Sequence, residues 1–162
     1  MTVRPAKNED MESIYMMGFD AWGKDTTKHV YLESCCNSEK YKRRNWYCIE
    51  KNNEIVSSII IYRGSFGLSE KYCGFGSIAT SPIHRNKGNA GHLISESVKS
   101  LVQEKYLGIF LFSEVGNSLY SKNGFCQVTG HEKEGLMFLS INGGSQPAVC
   151  YTHLTLPTTP YV

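Results

Sequence analysis

The sequence predicts one mixed α/β (α+β) domain. Three observations carry this. Strand-like and amphipathic helical runs alternate in the order β-α-α-β-β-β-α-β-α-β-β. The 162 residues are enough for one hydrophobic core. Hydrophobic residues make up 41% and charged residues 20%, the balance of a soluble globular chain.

The elements follow in order. Residues 2–4 read as a short strand. In the helix after it, Asn8 is the expected N-cap and Glu9 and Asp10 occupy the first turn. Met11, Ile14, Tyr15, Gly18 and Trp22 then recur at helical spacing, and a weaker helix is expected over 29–36. Strands at 46–51 and 54–63 flank the turn pair Asn52-Asn53, which predicts a β-hairpin. A loop over 64–71 leads to a strand at 72–80, which Pro82 ends because proline cannot donate to a ladder. Ala90, Leu93, Ile94, Val98, Leu101 and Val102 form the stripe of the clearest helix, with Glu96, Lys99 and Lys105 mostly off it. Residues 107–112 are nearly all apolar, as expected of a strand buried on both faces. A short helix at 117–122 closes at Asn123-Gly124, with Gly124 suited to the left-handed C′ position. A strand pair at 125–128 and 136–141 completes the domain, expected to span 1–142. Residues 143–162 continue no pattern and are assigned to a tail outside it. From about 149 that tail resembles a translated sequencing-library adapter; a native disordered tail is the other reading.

Composition excludes several function classes. A net charge of +2 is too mild for a nucleic-acid or membrane-surface binder. The local run Lys40, Lys42, Arg43 and Arg44 reads as a solvated face rather than an anion patch. The longest apolar stretches, at 59–61 and 109–112, fall far short of the roughly 20 residues a membrane helix needs. The N-terminus shows no apolar signal segment, so a cytoplasmic location is expected. Six cysteines include no C-x-x-C pair and read as free thiols, and His29, His92 and His131 form no ligand spacing, so no metal is expected.

The chemistry concentrates in Ser81-Pro82-Ile83-His84-Arg85-Asn86-Lys87-Gly88-Asn89-Ala90-Gly91, which joins a strand to an amphipathic helix. The free N–H groups of a helix's first turn, aided by its dipole, make an anion site. Gly88 and Gly91 leave room for a diphosphate at the backbone, Ala90 preserves that access, and Arg85 and Lys87 add positive charge. Gly88-Asn89 is not followed by the Lys-Ser/Thr pair of a P-loop.

Within this stretch Arg85-x-x-Gly88-x-Ala90 is similar to the Arg/Gln-x-x-Gly-x-Gly/Ala signature of the GNAT superfamily of acyl-CoA-dependent N-acetyltransferases. Downstream, Leu119-Tyr120-x-Lys122-x-Gly124-Phe125, with Asn117 three residues before the tyrosine, resembles the family's second motif region. The resemblance covers residues 2 to about 141. It implies a mixed, mostly antiparallel central sheet flanked by helices, in which the strands at about 72–80 and 107–113 splay apart to admit pantetheine. It implies acetyl-CoA as co-substrate, held by the backbone of Ile78, Ala79 and Thr80, by the amides of Asn86, Lys87, Gly88, Asn89, Ala90 and Gly91 with Arg85 nearby, and by Asn117 from the opposite wall.

The implied reaction is direct attack of a neutral amine on the thioester, with Tyr120 as general acid to the leaving thiolate. A phenol has a reference pKa of about 10 and is protonated at neutral pH; packing against the sheet is the structural reading of the same tyrosine. The strand at 72–80 lacks the glutamate many members carry, which leaves the base unassigned among Glu114, Ser77 and a bound water. His84 reads as a cofactor contact or a surface histidine, and Phe19, Trp22 and Tyr31 lie where the family builds its acceptor pocket or simply pack the core. The acceptor is expected to be a small-molecule or peptide amine, with no nucleic acid or membrane partner; a homodimer, common in the family, stays open. A catalytically silent acyl-CoA-binding sensor is the rival reading, motivated by the missing glutamate, and a chance match in a phosphate-binding or interaction domain is a more remote one.

Overall fold

Seven strands align across one sheet: β1 (Thr2–Pro5), β2 (Trp46–Lys51), β3 (Glu54–Arg63), β4 (Tyr72–Thr80), β5 (Gly108–Phe112), β6 (Cys126–Gln127) and β7 (Leu136–Ser140). Their spatial order is β1-β2-β3-β4-β5-β7-β6. The structure is a computed structural model that describes residues 2–41, 45–114 and 116–147. Lys42, Arg43 and Arg44 of the basic run, Cys150 and the adapter-like tail lie outside the described residues.

Every neighbouring pair is antiparallel except β4–β5. That parallel step needs a crossover, which α4 (Asn89–Gln103) supplies. Asn52 and Asn53 both take positive φ, 52° and 62°, the conformation a two-residue hairpin turn demands, so the β2–β3 hairpin forms as expected.

Two irregularities in β4 position the site. The β4–β5 ladder has three rungs, Tyr72↔Gly108, Cys73↔Ile109 and Gly74↔Phe110, and then stops. β5 continues to pair with β7 through Phe112, so the edge of β4 from Phe75 to Thr80 faces a gap. On its other edge, Ser58↔Ala79 is followed by Ile60↔Gly76, which leaves Ser77 and Ile78 opposite Ile59 alone. This is a β-bulge, and Ser77 sits in it at φ 46°, a costly conformation for a non-glycine residue.

The sheet buries both faces. On one, Leu93, Ile94 and Leu101 of α4 pack with Ile49, Ile59, Ile61, Phe75 and Ile109. On the other, Ile14 and Met17 pack over Trp46, Ile60, Tyr62 and Phe110. The α4 stripe differs from expectation at its end: Ser97 is buried on it, whereas Val102, one step round the helix from Leu101, is 36% exposed.

The N-terminal helix also departs from expectation. A 3-10 turn at Asn8–Asp10 is capped by Lys7 rather than Asn8, because the Asp10 carboxylate accepts the Lys7 N–H at 2.6 Å. Arg4 fixes Asp10 with bonds of 2.7 and 3.0 Å and reaches Glu50 of β2 at 2.6 Å, tying the turn to the sheet. The periodic run then splits into α1 (Met11–Met16) and α2 (Phe19–Trp22). Gly18 lies at the break, where an added Cβ would fall 2.0 Å from the Trp22 ring. α3 (Lys28–Asn37) follows, with Thr27 Oγ1 accepting the Val30 N–H as its cap.

At the other end, α5 (Ser118–Lys122) closes in a Schellman motif. Phe125 N–H donates to Tyr120 O and Gly124 N–H to Ser121 O, with Gly124 at φ 90° and the Tyr120 and Phe125 rings edge to face at 6.3 Å. Residues 143–147, assigned to the tail by sequence, run against the domain. Tyr72 Oη donates to Ser145 O at 3.0 Å, and Gly144 packs on Leu107 O, where no Cβ would fit.

Candidate active site

The Arg85-x-x-Gly88-x-Ala90 stretch folds into the expected strand-to-helix junction. Gly88 is the N-cap of α4 at φ 78°, which only glycine adopts without strain, and open space lies where its Cβ would stand. Asn86 is also left-handed, at φ 60°. Asn89 Nδ2 closes the loop onto His84 O at 2.9 Å. Among the described residues, the backbone N–H groups from Asn86 to Gly91 meet no acceptor within the protein. They are a row of unused donors at a helix N-terminus, the arrangement an anion completes.

These donors face a cleft of about 360 Å³ between α4 and α5. Thr80, Asn86, Gly88, Asn89, Ala90 and Gly91 of the expected set line it, and so does His84. Ile78 and Ala79 lie in β4 just before it, along the gap that opens beyond Gly74. From α5 the lining residues are Ser118, Leu119 and Lys122 rather than the expected Asn117, which is the helix N-cap one step round. Lys122 was not anticipated; its spacing from Ser118 and Leu119, one face of a short helix, was the available signal.

Arg85 makes bonds within the protein that the sequence did not anticipate. Its Nε donates to Thr80 O at 3.0 Å, Nη1 to Asp20 Oδ2 at 2.6 Å, and Nη2 to Asp20 Oδ1 at 3.0 Å and Met17 O at 3.3 Å. The guanidinium is a strut from the end of β4 to α1 and α2, with its charge met by a bidentate carboxylate. The hydrogen bonds from Arg85 hold the Asp20 carboxyl below the usual carboxylate range. Lys87 Nζ is exposed and reaches Ile83 O at 2.8 Å.

Tyr120 is 1% exposed, in one apolar cluster with Phe75 and Ile78 of β4 and Leu111 of β5, the residues that flank the gap. Glu114 is exposed just beyond β5 and does not line the cleft between α4 and α5. On the opposite face the bulge holds a contact that sequence did not anticipate: Ser77 Oγ donates to Tyr41 Oη at 3.3 Å. Burial pushes the Tyr41 phenol up despite that bond. Cys35, Cys36, Cys48, Cys73 and Cys126 are free thiols. Among the described residues, no group of His, Cys, Asp or Glu could hold a metal ion, and no helix is long and apolar enough to cross a membrane.

Comparison with known proteins agrees with this geometry. No curated protein matches the chain by sequence. Several solved structures share its fold. An N-acetyltransferase from Staphylococcus aureus Mu50 superposes with a TM-score of 0.67 at 18% identity, over 85% of this chain and 97% of that one. A GNAT family acetyltransferase from Brucella melitensis, solved with acetyl-CoA, gives 0.64 at 18% identity over 90% of each chain. The ribosomal-protein-S18-alanine N-acetyltransferase of Escherichia coli gives 0.63 at 15% identity, over 93% of this chain and 98% of that one. At these identities the likeness speaks for the fold. The acetyltransferase (GNAT) family model matches residues 8–125, which takes in the α4 junction, the β4–β5 gap and α5, and the chain belongs to that family of acetyltransferases.

Proposed function

We propose that the protein transfers an acetyl group from acetyl-CoA to a primary amine of a small molecule or peptide. The observation that carries this is the conjunction of the β4–β5 gap with the row of acceptor-free N–H groups at its end. The unpaired edge of β4 offers Ile78, Ala79 and Thr80 to a pantetheine arm as an added strand. Backbone amides of Asn86, Lys87, Gly88, Asn89, Ala90 and Gly91 take the pyrophosphate, and Lys122 adds a cation from α5. The open space at Gly88 fits such a group. Arg85 acts through the scaffold, holding Thr80 in place. Asn117, at the N-cap position of α5 with no side-chain capping bond, contacts the cofactor from that wall.

Bound acetyl-CoA supplies an activated thioester carbonyl. Backbone N–H groups at the bulge of β4 polarise the carbonyl oxygen. Tyr120 Oη donates a proton to the sulfur as the carbon–sulfur bond breaks. The attacking amine sheds its proton to water or to Glu114. The absence of a carboxylate from Tyr72–Thr80 favours one alternative, a domain that binds acyl-CoA without transfer. The test is calorimetric titration of CoA and acetyl-CoA into the full chain and a Gly88→Glu variant, followed by thiol release with an amine panel. Micromolar binding lost in the variant, with thiol release, is expected. Binding without release by any amine points to the sensor, and no binding defeats both.

A further inference from the structure

Resting on the acetyl-transfer reading, we propose that the acceptor is a primary amine on an aromatic or apolar body, received beside Tyr41 on the sheet face opposite α4. Tyr41 joins two features of that face. Its ring stacks on Tyr15 at 5.7 Å and meets Trp46 edge-on at 5.4 Å, while its hydroxyl contacts Ser77 in the β4 bulge. An aromatic cluster therefore reaches the strand along which the thioester would lie.

Two cavities share Tyr41 as a wall. One, of about 390 Å³, is lined by Met11, Tyr15 and Trp46; the other, of about 310 Å³, by Trp22 and Tyr31. No carboxylate lines either cavity among the described residues, and the charged side chains at them are Lys7 and Lys40. On the same sheet face the Tyr62 hydroxyl is buried without a hydrogen-bond partner among the described residues. Tyr62 pairs with Gly74, the rung at which the β4–β5 ladder ends.

This lining selects by charge. Ring faces hold one ammonium by cation–π attraction. Loss of solvent without a carboxylate lowers the ammonium pKa and favours the neutral nucleophile, which bears on how the reaction proceeds with no glutamate on β4. A polyamine would bring further charges that nothing here neutralises and that two lysines repel. An aryl or apolar body instead gains from burial against Tyr15, Tyr41 and Trp46.

The test is calorimetric titration of 2-phenylethylamine and of spermidine into the full chain, with and without saturating CoA, and into Tyr41→Ala. The expected result is binding of 2-phenylethylamine at least tenfold tighter than spermidine, and at least a tenfold loss in the variant. Equal or tighter binding of spermidine, no binding of 2-phenylethylamine, or undiminished binding by Tyr41→Ala overturns the proposal. The wild-type ranking decides even if the variant fails to fold. CoA titrated alone reports on the cofactor reading, so the two failures are told apart.

Discussion

Replacing Gly88 with alanine separates a folding effect from a binding effect at one atom. The position is left-handed, φ 78°, and no atom lies within 4 Å of the new Cβ, so the methyl clashes with nothing in the protein. The penalty is backbone strain, about 1–2 kcal/mol for an L-residue in that region. The lower entropy of the unfolded chain offsets about 0.4–1 kcal/mol of it. A net loss of about 1 kcal/mol lowers Tm by about 2–4 °C in a chain of this size. The same methyl stands before the free N–H groups of the α4 N-terminus. Displacing even one charge-assisted hydrogen bond costs about 1.5–3 kcal/mol, which is tenfold or more in Kd. The assays are thermal unfolding and CoA titration, with Gly64→Ala as the control: Gly64 is also left-handed, at φ 57°, with equally open space, and lies in the β3–β4 loop. Both variants should lose the same Tm, and only Gly88→Ala should lose CoA affinity. A normal Tm loss with unchanged CoA affinity would refute the cradle assignment, and no Tm loss would refute the backbone argument.

Further outcomes follow from other contacts. Arg85→Ala should lower stability by about 1–2 kcal/mol, since its sheltered bond to Thr80 O counts fully and the half-exposed Asp20 pair is discounted for solvent. Asp20→Ala should reproduce most of that loss, the double variant should add little, and CoA affinity should fall less than in Gly88→Ala; a Kd effect larger than that of Gly88→Ala would restore a direct phosphate role. Tyr120→Phe should keep the KM for acetyl-CoA while kcat falls about 10²–10⁴-fold, and a loss under threefold would move the acid elsewhere. The hydrogen bonds from Arg4 hold the Asp10 carboxyl below its ordinary value, so the folded state binds that proton more weakly than the unfolded chain. The linked stability is full above the unfolded pKa of about 3.9 and is lost as pH falls through the lower folded value. Thermal unfolding between about pH 5 and 2 should show this slope, and Asp10→Asn should flatten it.

Most of the sheet was legible because its signals are local. Asn52-Asn53 fixes the hairpin, Pro82 fixes the end of β4, and the Asn123-Gly124 pair fixes the close of α5, each through the conformation of a few neighbouring residues. What escaped depends on partners distant in sequence. The helix breaks at Gly18, where the Trp22 ring fills the space a Cβ would take, a packing detail that helical spacing alone does not reveal. Lys7 rather than Asn8 caps the first turn because Arg4 locks Asp10, and Arg4 is itself held by Glu50, 46 residues away. The bulge at Ser77 had no turn residue to announce it; the register across β3 creates it. The glycine-led start of α4 was readable as a backbone feature, whereas the destination of the Arg85 side chain was not, because Asp20 lies 65 residues upstream.

That Arg85 strut has a consequence for how the protein can diversify. A side chain rooted at the first position of the signature grips the joint between α1 and α2 through Met17 O and Asp20. Remodelling that joint therefore loosens the residue from which the loop before α4 starts. Sequence changes at the α1–α2 joint therefore reach the start of α4 through this brace, and the two regions are expected to vary together rather than independently.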